Sequence, residues 1–304
     1  MWFRNLQIYR LTKPFDMPPE ALHDALLDRV SRPCGALEHA ALGWTPPVGG
    51  GGDAPLVHAA NGYLMLCARR EERILPSVVV KEAVDEWVEK VRTEEGRDPG
   101  RRERREKRDD IEQELLPKAF TRSSRLYAYI DPRKHWMVVD ASSAKRAEES
   151  ITLLRETLGS LPVQPLKVRH APADLFTRWV HGDMESAPFA LGDECELRSP
   201  QEGGAIVRCR HQELASEEIR THLDAGKQVV KLAVEWNERI TCMLDEDLSV
   251  KRLRFPDLML EEAAESGAED EAARFDAEFA LMTLELDRFL ASLVETFGGI
   301  EEGG

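Results

Sequence analysis

Residues 115–124 read LLPKAFTRSS, and they fall where a long charged segment ends and a strand-like one begins. The stretch holds one large aromatic, Phe120, with Lys118 and Arg122 two residues to either side. By itself it reads as a connector, so the two segments it joins decide the architecture. Upstream, Val80, Val84, Trp87, Val88 and Val91 recur at helical spacing after Pro76, which gives one apolar stripe. TEEGRDPGRRERREKRDDIEQELL (93–116) then breaks at Gly96, Pro99 and Gly100 and resumes as a helix polar on almost every side. Such a helix is unsuited to a core, so residues 76–118 are predicted to form a projecting helical arm or hairpin. Seven cations between Arg97 and Arg108 are interleaved with acids; an ion-paired, solvated surface is the plain expectation, and a phosphate-tracking surface the sharper one. Downstream, RLYAYIDPRKHWMVVDAS (125–142) reads as two strands around an Asp131-Pro132-Arg133-Lys134 turn.

Further out, WFRNLQIYRL near the N-terminus has strand character, and PPEALHDALLDRV (18–30) reads as a short helix opened by proline. WTPPVGGGGDAP (44–55) is a loop, and Asn61-Gly62 between two apolar runs predicts a tight hairpin. A helix with Ala147, Ile151, Leu154 and Leu158 on one face stops at Gly159, and PVQPLKV (162–168) and ADLFTRWV (173–180) follow as strand and helix. A second region begins near Leu191. It holds a strand GAIVRCR (204–210), a helix SEEIRTHLDAG (216–226) capped by Ser216, a strand VVKLAVEW (229–236) and a hairpin turning at Asp245–Asp247. EEAAESGAEDE (261–271) has the composition of a mobile acidic linker. The last helix carries Phe275, Phe279, Met282, Leu286, Phe289, Leu293 and Phe297 at spacings of three and four, a core or dimer stripe. The expected partition is therefore 1–75 with 119–190, an arm 76–118, and 191–304.

The net charge of −15 argues at first against a polyanionic partner. Its distribution along the chain points the other way. From Asp245 onward there are 17 acidic and 5 basic residues, whereas between Lys118 and Val180 there are 11 basic and 6 acidic. Binding responds to the local field, because charges more than about 10 Å away are largely screened at moderate salt. No apolar run is long enough for a membrane span, and the N-terminus lacks an export signal. Five scattered cysteines without a CxxC suggest reduced thiols in a cytoplasmic protein.

Common catalytic signatures are missing. There is no GxxxxGK[ST], no HExxH and no GxSxG, and the glycines at 49–52 lack a strand–turn–helix setting. Asp131 and Asp140 flank a hairpin and have the chemistry to hold Mg²⁺, but turn and cap roles suit that position better. No cofactor or metal is expected.

Several stretches together resemble the RdgC family of bacterial recombination-associated proteins: MWFRNLQIYRL, RPCGALEHAALGWTPPVG (32–49), VHAANGYLMLCARREERILPS (57–77), LLPKAFTR, TLGSLPVQPL (157–166), SEEIRTHLDAGKQVVKLAVEW (216–236) and RFDAEFALMTLEL (274–286). The resemblance spans almost the whole chain. It implies an α+β, horseshoe-shaped monomer of mixed antiparallel sheets and helices, with two copies closing into a ring dimer around DNA. It also implies sequence-independent binding of double- and single-stranded DNA, antagonism of RecA, and a cytoplasmic, nucleoid-associated location without membrane attachment. The charged arm has no clear counterpart in the family pattern. His211 stands where that pattern has lysine; imidazole is largely neutral at pH 7, so Arg208 and Arg210 would carry the local charge and binding there would strengthen on acidification.

The expected DNA contacts are Lys118, Arg122, Arg125, Arg208, Arg210, Gln212, Lys227 and Lys231. Phe120 has three readings: a latch docking into the second subunit, a wedge against bases, or a ring folded back on its own helix end. The latch is the one carried forward. Two other functions compete with the DNA clamp: a metal-dependent nuclease, and a scaffold that restrains the recombinase by direct contact.

Overall fold

The computed structural model describes residues 1–49, 54–184, 188–201, 203–266 and 270–301. Within them the chain is α+β, built from helices and two antiparallel sheets. In chain order come β1 (Gln7–Leu11), α1 (Pro19–Leu27), β2 (Ala40–Trp44), β3 (Val57–Ala60), β4 (Tyr63–Ile74), α2 (Ser77–Glu95) and α3 (Arg101–Leu115). Then follow β5 (Phe120–Asp131), β6 (Trp136–Val139), α4 (Ala144–Leu158), β7 (Val163–Pro165) and α5 (Pro172–His181). The last third holds β8 (Phe189–Arg198), β9 (Ile206–Arg210), α6 (Glu217–Asp224), β10 (Gln228–Trp236), β11 (Ile240–Asp245), β12 (Val250–Arg254), α7 (Asp257–Ser266) and α8 (Glu271–Thr296). The chain forms two compact units: a larger one of Met1–Ala25, Pro46–Leu66 and Tyr127–Gly304, and a smaller one of Leu26–Thr45 and Cys67–Leu126.

In the smaller unit β2 pairs antiparallel with β4, from Ala40 opposite Glu72 to Trp44 opposite Ala68. Helix α2 follows Pro76, whose extended backbone cannot continue a helix, and buries Val80, Val88 and Val91 of the predicted stripe. It ends where Gly96 takes φ 64° and donates its N–H to the Arg92 carbonyl, a left-handed cap that costs glycine little. Its neighbour α3 buries only Ile111. The cations around α3 are ion-paired: Arg97 holds both oxygens of Glu103 at 2.9 Å, and Arg102 reaches Glu106 at 2.8 Å. The connector expected at 115–124 shrinks to a 3₁₀ turn, Leu116–Lys118, and Phe120 opens β5. Six residues of that strand, Phe120–Arg125, lie toward solvent, so no apolar alternation announces them.

In the larger unit β1 lies between β6 and β7, with Tyr9 opposite both Met137 and Pro165. The end of β5 pairs with β6 through the predicted turn, where Asp131 Oδ1 accepts from the Arg133 and Lys134 amides at 3.0 and 3.3 Å. The β3–β4 hairpin turns at Asn61 (φ 51°) and Gly62 (φ 80°), both left-handed as a type I′ turn demands. Gly159 ends α4 as predicted, and Ser143 caps its start. The aromatic stripe of α8 is core: Phe279, Phe289 and Phe297 are fully buried, with Phe289 edge-on to Trp236 and Phe297 edge-on to Phe176.

The second sheet runs β12-β11-β10-β8-β9. Strand β8 has no counterpart among the predicted elements. Gly192 interrupts its pattern because β8 passes so close to β10 that a Cβ there would lie 2.8 Å from the Ala233 Cβ. Two local expectations need correction. Ser216 occupies the N-cap of α6, yet its side chain makes no cap bond; its hydroxyl accepts from Gln212 Nε2 at 3.4 Å instead. Part of the expected acidic linker is helix, since Glu261–Ser266 complete α7, whose Met259 and Ala263 are buried. Residues 267–269 of that linker, and 50–52 of the glycine run, lie outside the described residues.

Candidate nucleic-acid interface

Strands β8 and β9 pair with Glu194 opposite Arg210 and Glu196 opposite Arg208. Strand alternation sends these four side chains to one face and Cys195 and Leu197 to the buried one. Sheet order then adds Lys231 from β10. Arg208 Nε donates to Glu196 at 2.7 Å, and Lys231 Nζ lies 3.6 Å from the other Glu196 oxygen. Arg210 approaches Glu194 at 3.8 Å, and Arg252 of β12 grips both Glu194 oxygens at 2.9 Å. Lys251 donates to Asp245 at 2.6 Å.

Glu194, Glu196, Arg208, Arg210, Lys231, Lys251 and Arg252, with Asn5 and Met243, line one pocket of about 460 Å³ in the larger unit. Five cations meet two glutamates along its wall. The hydrogen bonds from Arg252 hold the Glu194 carboxyl below the usual carboxylate range. At Glu196 desolvation pushes the other way, and the Arg208 hydrogen bond and Lys231 charge outweigh it, leaving that carboxyl lowered too. A guanidinium has five N–H donors, so an arginine fixed by a carboxylate still presents donors to an oxyanion. The arrangement suits a phosphate group.

The remaining expected residues fall elsewhere. Gln212 bonds Glu218 at 2.5 Å and lines a separate, more open pocket with Asp193, His211 and Leu214. His211 sits at φ 54° with Nδ1 3.1 Å from Asp193. Lys227 lies in the turn before β10, its amide bonded to the His222 carbonyl. The structure thus brings Arg208, Arg210 and Lys231 to one pocket and leaves Gln212 and Lys227 outside it. Lys251 and Arg252, which sequence reading missed, complete the cationic wall.

In the smaller unit, Lys118 ends the 3₁₀ turn and pairs with Glu114 at 3.0 Å. Phe120 and Arg122 share one face of β5, and Arg125 the other. Arg122 is ion-paired with Glu72, and Arg125 is exposed. Phe120 is 86% exposed, so the ring does not fold back onto its helix end. Behind it, Arg73 Nη1 donates to the carbonyls of Leu116, Pro117 and Ala119 at 3.1, 3.3 and 3.2 Å, fixing the turn.

Among the described residues no group of three or more His, Cys, Asp or Glu is arranged to hold a metal ion. Asp131 is the turn residue above. Asp140 Oδ1 accepts from the Arg4 and Asn5 amides at 3.1 and 2.9 Å, and burial raises its carboxyl. No helix among the described residues is long and apolar enough to cross a membrane.

Fold and site define an α+β protein of two antiparallel sheets, the second bearing an ion-paired cationic pocket. A family model described as "Putative exonuclease, RdgC" matches residues 1–300, and the chain belongs to the RdgC family. It is 46% identical over 301 residues to the "Recombination-associated protein RdgC" of Pseudomonas paraeruginosa, covering 99% of this chain and 98% of that one. The proteins of the same name from Pseudomonas aeruginosa and Pseudomonas putida are 45% and 46% identical over the same shares.

Proposed function

We propose that this chain is a non-enzymatic DNA-binding protein that takes double and single strands without reading their sequence. In this reading two horseshoe-shaped copies close into a ring around DNA, in the cytoplasm and on the nucleoid. The ring restrains RecA-mediated recombination by competing for the strand. The name shared by the Pseudomonas relatives, recombination-associated protein, supports the process. The observation that carries the mode of binding is the pocket where Arg208, Arg210 and Lys231 converge with Lys251 and Arg252 on one face. Affinity arises mainly from counterions released as these cations meet phosphates. Lys118, Arg122, Arg125, Gln212 and Lys227 add contacts along the path. The exposed ring of Phe120 is the latch between copies. Burying one such ring contributes about 1.5–3 kcal/mol, small enough for the ring to open and load on closed circles.

A gel shift across a salt series, with linear and circular DNA in parallel, tests the reading. Affinity should fall by orders of magnitude between about 50 and 200 mM salt; a flat response would overturn it. The description of the family model keeps a nuclease as the second reading. Mg²⁺-dependent loss of plasmid DNA would establish that one. Inhibition of a recombinase that persists in excess DNA would instead favour a direct-contact scaffold.

A further inference from the structure

Strand β12 breaks a rule of strand geometry. Successive side chains of a regular strand point to opposite faces, yet Lys251 and Arg252 both line the cationic pocket. The cause is a bulge. Between the pairs Thr241–Arg254 and Met243–Lys251 the register of β11 and β12 slips by one residue, and Arg252 takes φ 53°. For a long side chain that left-handed backbone is strained, and it persists only where the surroundings over-determine it. Here they do. Val250 exchanges two backbone hydrogen bonds with Leu6, and the Leu253 amide donates to the Arg4 carbonyl. Val250 and Leu253 are both buried, so the two residues between them are pushed out together. Bulges re-aim side chains and recur beside binding sites; glycine or asparagine would occupy this backbone at less cost. An arginine there holds a strained position for what its head group reaches.

We propose that Lys251 and Arg252 are phosphate-binding residues, delivered in tandem by this bulge to a pocket they share with Arg208, Arg210 and Lys231. The ligand is a phosphodiester of the nucleic-acid backbone. Glu194 is a positioning residue that holds the Arg252 and Arg210 guanidinium groups across the pocket at 2.9 and 3.8 Å. The inference deepens the DNA-binding reading and rests on it.

The test is fluorescence anisotropy of a short single-stranded oligonucleotide across a salt series, with the full-length wild type, Arg252→Gly, Arg252→Asn and Lys251→Ala. Arg252→Gly removes the charge while suiting the left-handed backbone, so relief of backbone strain offsets part of the lost Glu194 pair and the variant should remain folded, as its thermal midpoint reads. Each variant should flatten the slope of log affinity against log salt by about 0.7 per lost contact and weaken binding several-fold at low salt. A steep wild-type slope left unchanged in all three variants would overturn the pocket and leave the DNA-binding reading standing. A flat wild-type slope would remove both. The arms also separate two sources of phosphate. If a nucleoside monophosphate displaces the oligonucleotide from wild type but not from Arg252→Gly, the phosphate site stands and free nucleotide is an occupant as well.

Discussion

Arg252 and Glu194 meet as a two-pronged ion pair, each guanidinium Nη lying 2.9 Å from a different carboxylate oxygen. Their strands, β12 and β8, are separated in the sheet by β11 and β10. The pair therefore lies across the faces of those two strands, where Lys231 and Met243 line the same pocket. Paired planar groups of this kind are directional as well as attractive, so the carboxylate fixes where the guanidinium points.

That pair has a pH signature. The Glu194 carboxyl is held below its ordinary range by Arg252, so its folded value lies under its unfolded one. Its stabilisation is complete above the unfolded value and fades as pH falls through the folded one. The gap in denaturant stability between wild type and Glu194→Gln should be constant from about pH 8 to about pH 5 and shrink below about pH 4. A gap that already changes near neutrality would assign the pair a different role.

Phe120→Ser should weaken retention on circular DNA more than binding to short linear duplex, because a latch matters only where the strand has no end to slide from. Nitrocellulose retention of nicked circles against a short duplex reads the difference. Equal losses on both would remove the latch.

His211 is exposed, and its ring meets Asp193. His211→Lys would place a fixed ammonium at that exposed position, so it should raise affinity and steepen the salt slope of duplex binding by about 0.9 in a gel shift. An unchanged slope would take position 211 off the DNA path.

The α8 stripe carries stability without touching the pocket. Phe289 is fully buried against Phe189 and Trp236. Phe289→Ala should cost about 3–5 kcal/mol, read by urea unfolding, with the salt slope of DNA binding unaltered wherever the variant remains folded.

The thiols report on the sheet. Burial, with the neighbouring Cys209, pushes the Cys195 thiol up to about 12, and burial raises that of Cys242. Cys34 and Cys67 are also buried, whereas Cys209 is half-exposed. Iodoacetamide at about pH 8 should label Cys209 first and the other four only on unfolding. Early labelling of Cys195 would place β8 wrongly.

What the sequence revealed follows how local each signal is. The Asn61-Gly62 turn, the Gly159 end of α4 and the α8 stripe need only neighbours in the chain, and each was legible. The outer part of β5 was not, since Phe120–Ser124, ahead of the predicted strand at Arg125, lie toward solvent and show no alternation. Strand β8 hid because Gly192 answers to Ala233, a distant residue in another strand. The convergence of Arg208 with Lys231 depends on the order β10-β8-β9, a non-local pairing. Family resemblance, not periodicity, pointed to Arg208 and Arg210. Arg252 did leave a trace: Val250 and Leu253 are apolar three apart in a strand whose core positions should recur every two. That misfit spacing is the mark of a bulge.

In the turn before β5, a single guanidinium, that of Arg73, clasps three carbonyl oxygens, so the backbone under Phe120 is already ordered before anything meets the ring. Association normally loses free energy to the freezing of loops and rotamers. Under the latch proposal the loop part of that loss is already met at Phe120, and only its side-chain rotamers are left to freeze on contact.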